Sequence, residues 1–361
     1  QEPPSSRERT QAREQASALE AQDPLNRIVW EFGMEGFGVN HYRKAVDTLM
    51  TAFEEERGFK IQPGSKGRVG LKVYTNSGAG ISTPVALVRA VIEALNERGY
   101  RREDLFLLDL DEENLREAGF IPAISARSRS FEGIPVYILE SEAHYSSIWF
   151  YDNPLPSDRR ERALQEQERL YEWESTRSLL EKYAARDRKS FLPVPLLTEV
   201  DFWINLPMVM DHPALGVSGA LTNPTLWSVS NNRRFLTNPA TAPAATAEIA
   251  AIPELQEGWI FTLMNSEKHQ FIGETRFRSL YTRSAPRLLL STNPVILDYL
   301  LLEKINQARR DNGFDMLLQE QPLFFYAETL GLGSFDKDAM DWRQMGSDPG
   351  PIEFKPISTR E

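Results

Sequence analysis

A chain of 361 residues, 41% hydrophobic and 26% charged, has the length and composition of a globular protein able to bury a sizeable core. Its net charge of −11 argues against a nucleic-acid or anionic-membrane partner, because a phosphate-binding surface needs clustered Lys and Arg. The chain has no Cys, so disulfides, thiolate zinc sites, an iron–sulfur cluster and a Cys nucleophile are all excluded.

No apolar run approaches the roughly 20 residues that a membrane-spanning helix requires. The sequence starts at Gln1 rather than Met. Removal of a signal peptide leaves such a start, so a periplasmic or secreted location is expected ahead of a cytoplasmic one.

Residues 1–24 are polar and almost free of large apolar side chains, as a tail or linker is. A first α/β lobe is expected over 25–156. Within it "VGLKVYT" (69–75) is a β-branched run, "NSGAGIS" is Gly-rich, and "TPVALVRAVIEALNERGY" is helical, with Thr83 as N-cap and Pro84 at the first helical position. "LFLLD", ending in Asp109, and "GIPVYIL" (133–139) are further strands. Strands alternating with helices at this spacing imply parallel βαβ units.

Residues 157–190 form a charged helical insertion, a solvated arm or a surface for a protein partner. The α/β pattern resumes in a second lobe, 191–336, with strands at 200–206, 258–264 and 287–292. The Ala- and Pro-rich stretch 239–253 reads as a connector, mostly loop, and 337–361 as a C-terminal loop segment. The fold class is α/β, with a mostly parallel, doubly wound, Rossmann-like sheet.

Ligands in such sheets bind beyond the carboxyl ends of the strands, which selects four places. At Asn76–Thr83, Gly78 and Gly80 let the backbone approach a ligand, or simply make a tight turn. Asp109 could orient a base, take a ligand hydroxyl or cap a turn. In "DFWINLPMVMDHPALGVSGALTN" (201–223), Asp211 and His212 precede a small-residue turn containing Gly216, Ser218 and Gly219. His212 could serve as acid, base or metal ligand, or be structural. In "STNPVILD" (291–298), Asn293 fits a helix N-cap and Asp298 falls one turn into the helix.

Four segments together resemble the domain of unknown function family numbered 362: "VGLKVYTN" with the helix after it, "LFLLD", the 201–223 stretch, and "LLLSTNPVILDY" followed by "AETLGLGSFD". The resemblance spans about 69–336 and retains Lys72, Asn76 and Asn223. More distantly it resembles the lactate racemase group of nickel-pincer enzymes, where a His-x-x-x-Gly-x-Ser/Thr-Gly turn carries a catalytic His and a Lys ten positions later tethers the cofactor. His212, Gly216, Ser218 and Gly219 match that turn, but Thr222 stands at the Lys position, and Met208 and Met210 replace two further lysines of the family. These losses argue against a covalently tethered nickel-pincer nucleotide.

Two functions follow. In the first, an enzyme binds a small polar molecule in a cleft around His212, with His212 as general acid or base, Asp211 or Asp109 orienting it, and Lys72, Asn76, Gly78, Gly80, Gly216, Ser218, Gly219, Asn223, Asn293 and Asp298 contacting the ligand. In the second, a non-catalytic descendant of such an enzyme binds a ligand or a protein. A metal is not identified by the sequence; one built from Asp109, Asp211, His212 and Asp298 requires those side chains to converge.

Overall fold

Short runs of branched and aromatic residues become the strands of one large sheet. The structure, a computed structural model, describes residues 24–122, 129–141, 143–154, 188–236, 238–347 and the backbone of 355–356. The polar tail, up to residue 23, and the helical insertion, up to residue 187, lie outside the described residues.

The first part of the chain supplies β1 (Ile28–Gly33), α1 (Val39–Arg57), β2 (Val69–Lys72), α2 (Val85–Glu97), β3 (Leu105–Asp109), α3 (Glu112–Glu117), β4 (Ser130–Phe131), β5 (Ile134–Ile138) and β6 (Tyr145–Asp152). After the undescribed segment come β7 (Lys189–Pro193), α4 (Val194–Thr198), β8 (Phe202–Asn205), β9 (Val209–His212), β10 (Gly216–Ser218), α5 (Arg233–Leu236), α6 (Ala242–Ala250) and α7 (Pro253–Gly258). The chain continues through β11 (Trp259–Asn265), β12 (His269–Gln270), β13 (Thr282–Ser284), β14 (Arg287–Ser291), α8 (Pro294–Asp311), α9 (Pro322–Thr329), β15 (Asp341–Gly346) and β16 (Lys355–Pro356).

Nine strands form the main sheet in the order β15-β1-β14-β11-β8-β2-β3-β5-β4. Only β14 and β4 run against the others, so the sheet is mostly parallel, as expected. Its central strands read as unbroken apolar runs because both faces are covered. Successive residues alternate between two cores: Leu107, Ile204, Leu263 and Leu290 meet α1 and α2, whereas Phe106, Leu108, Trp203, Met264 and Leu289 meet α6, α8 and α9. A five-stranded sheet, β10-β9-β12-β13-β16, lies on the second side and carries His212.

Four expectations are corrected. The two lobes expected at 25–156 and 191–336 share this one sheet, in which β2 and β8 pair directly. Thr83 is not the N-cap of α2; Pro84 takes that position, and the Thr83 hydroxyl instead donates to the Leu206 carbonyl and accepts from the Tyr74 N–H. The 239–253 connector contains α6, whose alanines are buried against α9; Pro243 lies in its first turn, where no N–H is required. The C-terminal stretch contains β15, an edge strand with alternating exposure that pairs in parallel with β1. None of its residues is fully buried, so the strand carries no apolar run.

Candidate functional site

Register places Lys72 beside Asn205, and both residues end their strands, as Asp109 ends β3. Three neighbouring strands therefore deliver an amine, a carboxylate and an amide to one spot. Lys72 is wholly buried, and its Nζ donates to Asp109 Oδ1 at 2.7 Å, Asn223 Oδ1 at 2.9 Å and the Val73 carbonyl at 2.7 Å. An ammonium has three N–H donors, so all are spent.

Asp109 is equally buried and is surrounded by donors: Oδ2 accepts from the Thr75 N–H and hydroxyl, each at 2.7 Å, and Oδ1 accepts from Asn76 Nδ2 at 3.4 Å. Asn223 donates onward to Asn205 Oδ1, and Asn205 donates to the Ala220 carbonyl and Thr262 Oγ1. Burial lowers the pKa of Lys72, and the Asp109 charge opposes that shift. Lys72, Asn76, Asp109 and Asn223 are thus brought together, and they satisfy one another.

The glycines follow the same pattern. A close approach to the backbone is present at three of them, but the approaching group belongs to this chain. A Cβ on Gly80 would meet the Phe277 ring at 2.0 Å, one on Gly216 the Gln321 amide at 2.3 Å, and one on Gly219 Asp298 Oδ1 at 2.2 Å. Gly78 adopts φ +77 in the turn after β2, where its N–H donates to the Thr75 carbonyl.

Asp298 clamps the Gly219 turn to α8, accepting from the Ala220 N–H at 2.5 Å and the Leu221 N–H at 3.0 Å. Burial pushes its carboxyl up to about 7, against the pull of those two N–H groups. Ser218 shares a hydrogen bond with the Thr222 hydroxyl at 2.9 Å and accepts from Trp227 Nε1. Asn293 caps α8, accepting from the Val295 and Ile296 N–H groups, and donates to the Ser334 carbonyl.

His212 does not join this network. It is the last residue of β9, buried to 3% exposure, and its Nδ1 accepts the Ala214 N–H at 3.2 Å. Burial lowers its pKa to about 4, so the ring is neutral at pH 7. Neighbouring residues of a strand leave opposite faces, and Asp211 accordingly reaches the Glu274 N–H and, at 3.8 Å, Arg309. Asp211 does not orient His212, and neither does Asp109, whose partners are those named above.

No group of three or more His, Cys, Asp or Glu side chains suited to a metal exists among the described residues. The four-residue metal site of Asp109, Asp211, His212 and Asp298 is therefore not assembled. Nor do the residues fit a tethered pincer nucleotide. Thr222 offers no amine, its hydroxyl is engaged by Ser218 and the Gly219 N–H, and the Met208 and Met210 sulfurs accept from Asn265, Tyr74 and Ser77.

Open space lies elsewhere. Because β14 runs against its neighbours, Thr292 and Pro294 open toward the end where β8 and β11 begin. There they line a cavity of 670 Å³ with Asp201, Phe202 and Trp259, together with Arg57 at the end of α1 and Phe59 and Lys60 just after it. Of the fourth expected place, only its first residues reach this cavity. The remainder of the cavity was missed, since the carboxyl-end rule directs attention to the other end of the sheet. A polar residue at the end of one apolar run, Asn205 in "FWIN", and one in the middle of another, Thr262 in "WIFTLMN", were the available signals for the missed network members.

No helix among the described residues is long and apolar enough to cross a membrane. No family model matches the chain. No curated protein matches it either. Among solved structures it is similar to a protein from Thermotoga maritima, with 13% identity and a TM-score of 0.37. The match covers 78% of this chain and 60% of the Thermotoga chain.

Proposed function

We propose that this chain is a binding protein for a small polar molecule, descended from the family numbered 362 and lacking chemistry at His212. The observation that carries this reading is saturation: every Lys72 proton and both Asp109 oxygens are engaged within the protein, and His212 is buried and neutral. A catalytic acid or base needs hydrogen-bond reach to a substrate and a pKa near the working pH. A ligand pocket needs concave space of some 300–1,000 Å³ with a few polar groups. The cavity beside Trp259, at 670 Å³, meets that requirement.

Native mass spectrometry of protein purified from its host without chelators tests this. The expected result is a bound small molecule that remains after His212→Gln. Loss of that molecule from the folded variant would overturn the reading and restore His212 to the centre of the function.

A further inference from the structure

The nine-stranded sheet ends at β15, and no strand lies beyond it among the described residues. We propose that this edge pairs with β15 of a second copy of the chain, antiparallel and about a two-fold axis, so that two nine-stranded sheets become one. Which backbone groups face outward follows from the pairing with β1. Gly33 stands opposite Gly346, and its carbonyl accepts from the Ser347 N–H at 3.1 Å. Successive residues of a strand point their N–H and C=O groups to opposite sides. Ser347 faces β1, and so do Met345, Arg343 and Asp341. Trp342 and Gln344 therefore present their N–H and C=O groups to the open edge. The same alternation holds within β1 and just beyond it, where the Met34 N–H donates to the Pro286 carbonyl on the β14 side.

Symmetry and charge then select the register. An antiparallel pair alternates between hydrogen-bonded and non-hydrogen-bonded positions, and a two-fold axis relates only positions of one kind, so one residue must stand opposite its own copy. Centring on Arg343 sets like charges face to face, which is unfavourable. Centring on Gln344 leaves Arg343 opposite Met345, with no charge pair. Centring on Trp342 places Asp341 opposite the partner's Arg343 and, by symmetry, Arg343 opposite the partner's Asp341. The strand is prepared for this contact. Arg343 is held by Asp341 Oδ2 at 2.9 Å and Glu56 Oε2 at 2.5 Å, so it has little freedom left to lose. Trp342 is 38% exposed, and its Nε1 donates to the Lys337 carbonyl at 3.3 Å, which fixes the ring where it would meet its own copy. Sheet edges are commonly blunted by Pro, Lys or a bulge. β15 has no Pro and no Lys, and its register with β1 is unbroken over Asp341–Gly346.

The chain has no Cys, so a single introduced thiol reads the register. In the Trp342-centred pair the two Cα atoms at 342 lie about 5.5 Å apart, within disulfide reach, whereas those at 344 are offset by about 13 Å along the strand. Mild oxidation of the full chain should therefore convert Trp342→Cys to a covalent dimer and leave Gln344→Cys uncrosslinked on a non-reducing gel. Sedimentation equilibrium of the unaltered chain should show a dimer, and Asp341→Arg should weaken it at least tenfold. Gln344→Pro deletes an outward N–H without touching the ladder to β1, and should weaken the dimer by at least as much. Residues 341, 342 and 344 are exposed, and circular dichroism matching the parent's checks that each variant keeps its fold. A parent that stays monomeric up to about 1 mM, a dimer indifferent to Asp341→Arg and Gln344→Pro, or equal crosslinking at 342 and 344 overturns the proposal.

Discussion

Lys72 and Asp109 leave the ends of adjacent parallel strands and meet at 2.7 Å, with neither side chain exposed to solvent. Removing one partner leaves an uncompensated buried charge. Lys72→Met and Asp109→Leu should each cost about 3–5 kcal/mol, and the double variant should cost less than their sum. Urea unfolding of the four proteins gives the coupling; strict additivity would show that the pair does not act as a unit.

His212 makes stability depend on pH with a definite sign. Its folded pKa, about 4, lies below the ordinary 6.5. The unfolded chain therefore binds the proton first, and the contribution, whole above pH 6.5, is lost as pH falls toward 4. At about 1.4 kcal/mol per unit, the loss is at most about 3.5 kcal/mol. His212→Gln should flatten the fall in unfolding free energy over this window, and an unchanged slope would contradict it. His269, lowered by burial to about 3, acts in the same direction and should leave a residual slope.

Asp298 works in the opposite sense. Its folded pKa is raised to about 7 from 3.8, so its contribution is complete below pH 3.8 and is lost as pH rises to 7. The two effects partly cancel, and the intact protein should show a shallower profile than the Asp298→Asn variant. In Asp298→Asn, one acceptor oxygen faces two N–H donors, which costs about 1–3 kcal/mol. The gap from the parent should widen as pH falls from 7 to 4. A gap constant with pH would refute the shift.

Gly219 has no room for a side chain, since a Cβ would stand 2.2 Å from Asp298 Oδ1. Gly219→Ala should lower stability by about 1–3 kcal/mol, the usual scale of overpacking. In the Asp298→Ala background the same change should cost less. Thermal unfolding of the set checks both; an equal cost in the two backgrounds would remove Asp298 as the obstacle.

Much of the sheet was legible because strands buried on both faces leave continuous apolar runs, as in "LFLLD" and "RLLLST". β15 was not, because none of its residues is buried and Asp341, Arg343 and Gln344 leave it no apolar run. The residues of the Lys72 network were legible as polar groups at strand ends. Their closure was not, because whether Lys72 meets a ligand or Asn223, 151 positions away, is decided by tertiary packing. Gly219 shows the same limit: close approach is written in the absent Cβ, but the identity of the approaching group is not. The cavity escaped notice because β14 reverses direction, and periodicity does not record strand polarity.

The place of β1 in the sheet sets an order of assembly. Its two neighbours are β14 and β15, with Trp30 opposite Leu290 on one side and Arg343 on the other. During synthesis this early strand emerges with both edges bare, and its partners follow some 250 residues later. At about 5–20 residues per second, that is a wait of tens of seconds at the slower rates. Through that interval "IVWEF" has no strand partner, so nascent chains stalled before residue 287 should be the form of this protein most prone to self-association.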